Sequence, residues 1–369
     1  MSAPVAKESI LSIAPYVPGK ARAEGFARPI KLSANENSLG CSPAARAAYR
    51  EAEAELHLYP DPQASALREA IAAKHAIEPG RILFGTGSDE IFSMLCQAYL
   101  NPGDNIVQPR YGFAAWAIAA RAAGGVVKSA PERDFAVDVD ALLACVDDRT
   151  RIVFIANPAN PTGTCVPASE LVRLHEGLPS DVLLVLDGAY AEYAPDYGAS
   201  AANGKTPLFL ERARVASNLV VTHTFSKLYG LASLRIGWGY TPAAVAEAIN
   251  RFRLPYNTTR PAQAAAIAAL ADDAFVARTV AFTETGRASL VIGLARLGLQ
   301  PVPSATNFVT AVFPDHLTQS ARSTERLLAE RGILVRGLSE YGLPQCFRIT
   351  VGLDEDMARL MHELEDILT

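Results

Sequence analysis

Residues 218–235 read NLVVTHTFSKLYGLASLR, and this stretch decides the fold predicted for the chain. Its first part is a run of apolar residues, typical of a parallel strand that helices cover on both faces. The run ends in hydroxyl side chains and one lysine, Lys227, with Arg235 following it. A lysine is costly to bury unless it is paired or takes part in chemistry. The stretch therefore predicts a buried strand whose end carries a functional site.

The whole chain has the composition of an ordinary globular protein. It has 369 residues, half of them hydrophobic, a net charge of −5 and five scattered cysteines. This charge gives no reason to expect a nucleic-acid partner, and scattered thiols indicate a reducing, cytoplasmic location. No Cys/His spacing indicates a metal site. No apolar run reaches the roughly 20 residues of a membrane-spanning helix, so we expect no membrane partner.

Helical and strand patterns alternate outward from this stretch, beginning at about residue 64. The strands RIVFIANP (151–158) and DVLLVLD (181–187) are also apolar throughout. The alternation predicts an α/β protein with a doubly wound, mainly parallel sheet, in which ligands bind at the carboxyl ends of strands. Past residue 270 the pattern changes to a long helix, short strands and a closing helix. We predict an N-terminal arm over 1–30, a large domain over 31–270 and a small α+β domain over 271–369.

The residues around Lys227 suit a cofactor that carries both an aldehyde and a phosphate. Thr224 and Ser226 supply hydroxyl groups, and the guanidinium of Arg235 can pair bidentately with phosphate. A lysine beside a bound phosphate is typical of a Schiff base to an aldehyde cofactor. Pyridoxal phosphate (PLP) has both groups. Taken alone, a lysine after a strand is most often a solvated surface residue.

Two neighbouring strand ends carry groups that such a cofactor requires. Asp187 ends one strand and can keep the pyridine nitrogen protonated, while Tyr190 can reach the phenolic oxygen. Asn160 follows the other strand and can donate its amide to the same oxygen. Asp-Gly and Asn-Pro are also ordinary turn sequences. The prediction therefore depends on the groups occurring together.

The phosphate and the ring also have candidate partners. FGTGSDE (84–90) places Ser88 and Asp89 at a strand-to-helix turn, where free backbone N–H groups bind phosphate. PRYGF (109–113) offers Tyr111 as a ring that stacks on the pyridine. Each has an ordinary alternative, since Asp89 alone can be an N-cap and a single aromatic is usually core.

In this order the motifs resemble the fold-type I PLP-dependent aminotransferases, specifically the histidinol-phosphate aminotransferase branch. Matching blocks run over nearly the whole chain: KLSANENSLG, LYPDP, GTGSDE, NPANPTG, DGAYAEY, THTFSKLYGLASLRIGW and FRITVG. The resemblance implies the PLP-dependent transferase fold type I. It also implies an enzyme that passes an amino group from histidinol phosphate to 2-oxoglutarate.

The resemblance implies a role for each site residue. The catalytic residues would be Lys227, Asp187 and Tyr190. The cofactor would further contact Ser88, Asp89, Tyr111, Asn160, Thr224, Ser226 and Arg235. Tyr59 of LYPDP would reach the phosphate held by the other subunit, which implies a homodimer with shared active sites. The substrate end would contain Arg348 and Arg336, with Asn35, Tyr16 and Arg22 as further candidates.

The chain departs from the family pattern at two positions. Gly188 stands where the family usually has glutamate, and Ser38 stands where it usually has proline. Both changes bear on the substrate more than on the cofactor. An aromatic amino acid aminotransferase and a PLP-dependent decarboxylase of a phosphorylated amino acid therefore remain alternatives. A PLP-sensing regulator would require a DNA-binding domain, and the aminotransferase-like motifs already begin by residue 31.

Overall fold

The computed structural model describes residues 3–15, 17–194 and 207–369. The strands of this part of the chain are β1 (Ile30–Lys31), β2 (Ile82–Gly85), β3 (Asn105–Pro109), β4 (Val126–Ala130), β5 (Glu132–Arg133), β6 (Ala136–Val137), β7 (Thr150–Ala156), β8 (Leu183–Asp187), β9 (Leu219–Thr224), β10 (Gly237–Tyr240), β11 (Gln300–Pro301), β12 (Phe308–Val312), β13 (Ile333–Leu334), β14 (Arg336–Leu338) and β15 (Leu343–Thr350). The α-helices are α1 (Glu8–Leu11), α2 (Pro43–Ala52), α3 (Ser65–His75), α4 (Ser88–Tyr99), α5 (Ala114–Ala122), α6 (Val139–Cys145), α7 (Ala168–Gly177), α8 (Leu208–Val215), α9 (Ala243–Asn250), α10 (Arg260–Ala271), α11 (Asp273–Arg296), α12 (Ala321–Glu330) and α13 (Asp354–Leu368).

The large sheet has the strand order β2-β10-β9-β8-β7-β3-β4. The pairs from β9 to β4 are parallel, whereas β10 is antiparallel to both β2 and β9. Its central strands β7, β8 and β9 are buried except at Arg151, because helices cover both faces. The predicted doubly wound, mainly parallel sheet is confirmed, and the strands predicted at 151–158 and 181–187 are β7 and β8.

The antiparallel strand β10 is not predicted from the sequence. Its four residues include Gly237 and Gly239, and glycine weakens the pattern of a strand interior. The backbone is crowded at Gly237, whereas Gly239 has ordinary contacts. A Cβ on Gly239 would touch the Ile91 and Thr222 side chains, and one on Gly237 would overlap the first residues of α4. The two glycines weaken the strand pattern of β10 in the sequence. Because they have no side chain, they also let β10 pack beside the cavity.

The C-terminal part contains a four-stranded antiparallel sheet with the order β11-β12-β15-β14. Together with α11, α12 and α13 it encloses a separate apolar core that includes Leu290, Phe347 and Leu360. Leu32 belongs to the same core, because β1 pairs in parallel with β13. The segment just after the predicted arm is therefore tied to the C-terminal part. The exact domain boundaries stay a prediction.

The longest helix, α11, spans 24 residues and carries charged side chains along its length. Within the described parts of the chain, every helix is too short or too polar to cross a bilayer.

Candidate active site

The strand ends singled out in the sequence meet at one cavity of about 440 Å³. It lies at the carboxyl edge of the large sheet, where β7, β8 and β9 end, and the C-terminal sheet contributes to its wall. Most of the predicted site residues line it: Asn35, Ser88, Asp89, Asn160, Asp187, Tyr190, Thr224, Ser226, Lys227, Arg235, Arg336 and Arg348.

One end of this cavity is built to hold an anion. Helix α4 begins at Ser88, and the first N–H groups of a helix have no partners inside it. Arg235 Nη2 lies 3.1 Å from the Asp89 carboxylate, and Arg235 Nη1 lies 3.5 Å from Ser226 Oγ. Gly87 has a φ of +79°, and a Cβ there would lie 2.6 Å from Arg235 Nη2. A helix end, a hydroxyl and a guanidinium form a donor set that fits phosphate.

Asp187 ends β8 as a buried carboxyl group in the cavity wall. It faces Thr222 of β9 in register, and its Oδ1 accepts from Thr222 Oγ1 at 3.4 Å and from Ala189 N at 3.1 Å. Burial raises the pKa of Asp187 to about 7, because the ionised form loses its hydration. A nearby cation favours ionisation of such an acid. Asp187 therefore fits a protonated pyridine nitrogen.

Tyr190 follows Asp187 by three residues, and its phenol is buried at the cavity wall. Asn35 Nδ2 donates to Tyr190 Oη at 2.7 Å. Burial raises the pKa of Tyr190 to about 12, so the phenol keeps its proton at neutral pH. Asn35, predicted at the substrate end, thus contacts a predicted cofactor residue.

Lys227 places its amine inside the same cavity. Nζ donates to Ala34 O at 3.4 Å and lies 5.9 Å from the centre of the Tyr190 ring. Ala34 and Asn35 both belong to KLSANENSLG, so this N-terminal motif contacts the lysine and the phenol directly. An amine, a phenol and a buried carboxyl group therefore share one enclosed space.

Two buried arginines, Arg336 and Arg348, line the cavity from the C-terminal sheet, where they are paired in register. Arg336 Nη2 donates to Val17 O at 2.8 Å and to Glu340 Oε2 at 2.9 Å. Arg348 Nη2 donates to Ser33 O at 3.2 Å. Arg348 Nη1 also donates to Asn160 Oδ1. Two guanidinium groups at facing strand positions suit an anionic group of a substrate.

The other candidates for the substrate end, Tyr16 and Arg22, stay predictions. Tyr16 lies outside the described residues. Arg22 is exposed and is not among the described residues that line the cavity. The sequence analysis missed Lys31, which lines the cavity and forms an ion pair with Glu36. Lys31 could have been identified from the sequence, because it is the first residue of the KLSANENSLG block.

Among the described residues, three aromatic side chains line the cavity, those of Phe113, Tyr190 and Tyr341, whereas the sequence analysis selected Tyr111 as the stacking ring. The Tyr111 ring packs against Phe135, with centroids 6.4 Å apart, in a small apolar cluster with Leu338. Tyr111 N also donates to Glu132 Oε2 at 2.9 Å, which fixes the backbone of this loop. The structure therefore places Tyr111 outside the cavity wall, and its stacking on the cofactor stays a prediction.

Tyr59 lies away from the cavity of its own chain. Its side chain is 77% exposed, and its ring stacks on Tyr256 with centroids 4.6 Å apart. Leu56 and Leu58 beside it are exposed as well. An exposed apolar patch of this kind is typical of a protein interface. That Tyr59 completes the site of a second subunit stays a prediction.

The two departures from the family pattern lie behind the cavity wall. Gly188 N donates to Thr222 O at 2.8 Å, and Ser38 Oγ donates to Val351 O at 2.7 Å. Neither residue is among the described residues that line the cavity.

The fold and the cavity define the class of protein. The chain belongs to the family of class I and II aminotransferases, whose family model matches residues 27–364. The family predicted from the sequence is confirmed.

Similar proteins narrow the class. The chain is 51% identical to histidinol-phosphate aminotransferase 1 of Caulobacter vibrioides, over 98% of this chain and 99% of the relative. It is 47% identical to histidinol-phosphate aminotransferase of Rhodospirillum centenum, over 100% of this chain and 99% of the relative. The crystal structure of histidinol-phosphate aminotransferase from Sinorhizobium meliloti in complex with pyridoxal-5'-phosphate superposes with a TM-score of 0.89 at 31% identity, over 100% of this chain and 98% of that one.

Proposed function

We propose that this enzyme is a PLP-dependent aminotransferase that passes an amino group from histidinol phosphate to 2-oxoglutarate, giving imidazole acetol phosphate and glutamate. The observation that carries the proposal is a single cavity with an anion-binding end, a lysine, a buried acid and two buried arginines. The relatives named above support the choice of substrate.

The residues at the inner end of the cavity suit the cofactor. When bound, PLP supplies a ring that accepts electrons from the substrate carbon. The first turn of α4, Ser226 and Arg235 would bind its phosphate. Asp187 would hold a proton on the pyridine nitrogen, and the Tyr190 phenol would donate to the ring oxygen. Each role uses a group that the structure brings to the wall of the same cavity.

Lys227 would both hold the cofactor and move a proton. A primary amine is a competent general base when it stands beside the reacting carbon. Its Nζ would take the proton from the Cα of the amino donor and deliver it to C4′ of the cofactor, and in the second half-reaction it would move a proton from C4′ to the Cα of the new amino acid. The contact of Nζ with Ala34 O orients the amine within the cavity that Asp187 and Tyr190 also line.

Arg336 and Arg348 would bind the anionic end of both substrates. Histidinol phosphate has a phosphate and no α-carboxylate, whereas glutamate has carboxylates, and a guanidinium fork binds either group. Because Arg348 also donates to Asn160, a substrate bound there would contact the wall that carries the cofactor residues. The arginines therefore place the reacting end of the substrate toward Lys227.

The test of this function is a half-reaction experiment with a panel of amino donors. The holoenzyme is mixed with histidinol phosphate, an aromatic amino acid or a phosphorylated amino acid, and the cofactor spectrum is followed. The proposal predicts the fastest change with histidinol phosphate and no release of carbon dioxide. A faster change with the aromatic amino acid identifies an aromatic aminotransferase, and carbon dioxide release identifies a decarboxylase.

We further propose that the enzyme is a cytoplasmic homodimer with shared active sites. The exposed patch formed by Leu56, Leu58, Tyr59 and Tyr256 supports an interface, since exposed apolar patches mark binding surfaces. In a two-fold dimer the same patch serves both chains, so Tyr59 of each subunit would approach the phosphate of the other. The scattered thiols support a reducing compartment.

A further inference from the structure

A second cavity of about 480 Å³ lies next to the active site. It is enclosed by the N-terminal segment around Pro15 and Val17, by the face of α5 that carries Ala117 and Ile118, and by the turn after β14. Its volume lies within the ordinary range of small-molecule sites, which is about 300–1,000 Å³. The proposed reaction does not use this cavity.

The wall of the second cavity is strongly basic. Arg110, Arg121 and Arg336 line it, and Glu340 is the acidic residue among the described lining residues. Glu340 is already paired with Arg336. Neither Arg110 nor Arg121 lies within ion-pair distance of an acidic side chain in residues 3–15, 17–194 or 207–369, and both are exposed. Arg110 lies over the Tyr111 ring, 5.7 Å from its centre, and its charge favours the ionised form of Glu132. Two guanidinium groups therefore remain available to an anion, while the rest of the wall is largely apolar.

A buried amide points to a ligand independently of this charge. Gln108, at the end of β3, lines the second cavity and is only 5% exposed. Its Oε1 is fully buried and has no hydrogen-bond partner in the structure. Leaving a buried amide oxygen unpaired is unfavourable, so such atoms normally have a partner. A ligand with an N–H or O–H donor would satisfy Gln108 once the side-chain amide turned its oxygen toward the cavity.

We propose that this cavity is a second binding site for a small organic anion, a carboxylate or phosphate attached to an apolar body. Arg110 and Arg121 would bind the charge, Gln108 would hydrogen-bond a polar group, and α5 would cover the apolar part. Arg336 lines both cavities, so a ligand that reached it would draw it away from the amino donor. This last consequence rests on the proposed function, whereas the binding site itself does not.

The test is calorimetric titration of the holoenzyme with phenyl phosphate, a phosphate on an apolar ring. We expect two binding events per chain, one in each cavity. Arg121→Ala should weaken one event about fivefold or more, as expected for a partly exposed charged contact, and leave the other event unchanged. Arg296→Ala is the matched control, because Arg121 and Arg296 are both exposed in the last turn of a helix. It should change neither event.

Gln108→Leu provides a second variant that removes the buried amide and keeps the volume of the side chain. It should weaken the same event as Arg121→Ala. A single binding event per chain would overturn the proposal, even if Arg121→Ala weakened that event. The second cavity would then be only an extension of the active site. Equal behaviour of Arg121→Ala and Arg296→Ala would also overturn it. Because the readout is binding, the result does not depend on which amino donor the enzyme uses.

Discussion

Replacing Asp187 by asparagine should affect activity and stability in opposite directions. Asparagine has the same shape and keeps an oxygen that can accept from Ala189 N and Thr222 Oγ1. It cannot carry the negative charge that would stabilise a protonated pyridine nitrogen. Burial raises the pKa of Asp187 from 3.8 to about 7, a shift of about three units. At about 1.4 kcal/mol per unit, ionising this carboxyl group in the folded protein costs about 4 kcal/mol.

The direction of the pH effect follows from proton linkage. Because the pKa is raised in the folded state, the folded protein binds the proton more tightly than the unfolded chain between pH 4 and pH 7. The wild type therefore loses stability as the pH rises through about 7. The variant has no such group. Without cofactor, the variant should equal the wild type near pH 4 and be more stable by up to about 4 kcal/mol at pH 8.

The assay combines denaturant unfolding of the cofactor-free proteins at pH 4 and pH 8 with turnover of the holoenzymes. Losing the charge opposite the pyridine nitrogen should cost several kcal/mol in the transition state, and each 1.4 kcal/mol or so is a factor of ten in rate. Asp181→Asn, an exposed position just before the same strand, is the matched control and should change neither quantity. A stability difference independent of pH, or turnover within threefold of wild type, would refute the reasoning.

Three further predictions concern the cavity and the interface. Borohydride reduction of the holoenzyme should fix the cofactor on Lys227, and mass spectrometry that finds it on another lysine contradicts this assignment. Mixing inactive Tyr59→Ala with Lys227→Ala should restore about a quarter of wild-type activity, because random exchange gives about half mixed dimers with one intact site each; exchange without recovery contradicts shared sites. Asn35→Ala should lower the affinity for cofactor by removing the 2.7 Å hydrogen bond to Tyr190, measured as the dissociation constant, with Asn101→Ala as control.

The meeting of Asp187, Asn160 and Lys227 at one cavity was predictable because the sequence signals for it are local. A run of apolar residues predicts a buried parallel strand, and the carboxyl ends of such strands share one edge. Asp187, Asn160 and Lys227 each follow such a run, so the sequence alone brings them to one place. The family blocks then supply the roles that strand position leaves open.

The contacts between distant segments were not predictable from those patterns. Asn35 reaches Tyr190 across 155 positions, and Arg348 reaches Asn160 across 188. These pairs depend on how the C-terminal sheet packs on the large one, which no local pattern encodes. The position of Tyr111 outside the cavity wall also involves a distant partner, because Tyr111 N donates to Glu132 Oε2, 21 positions away.

Strand β15 connects the C-terminal sheet to the part of the cavity wall that the large sheet carries. Arg348 and Thr350 lie two positions apart on it, so they face the same side, and both bond to the segment 33–35. Arg348 also bonds to Asn160, and Asn35 bonds to Tyr190. A shift of the C-terminal sheet would therefore move the groups that contact the Tyr190 phenol and the Asn160 amide. We expect loosening of the apolar core around Leu360 to shift Arg348 and Asn35 before it shifts Ser226 and Arg235, which lie on the side of the large sheet.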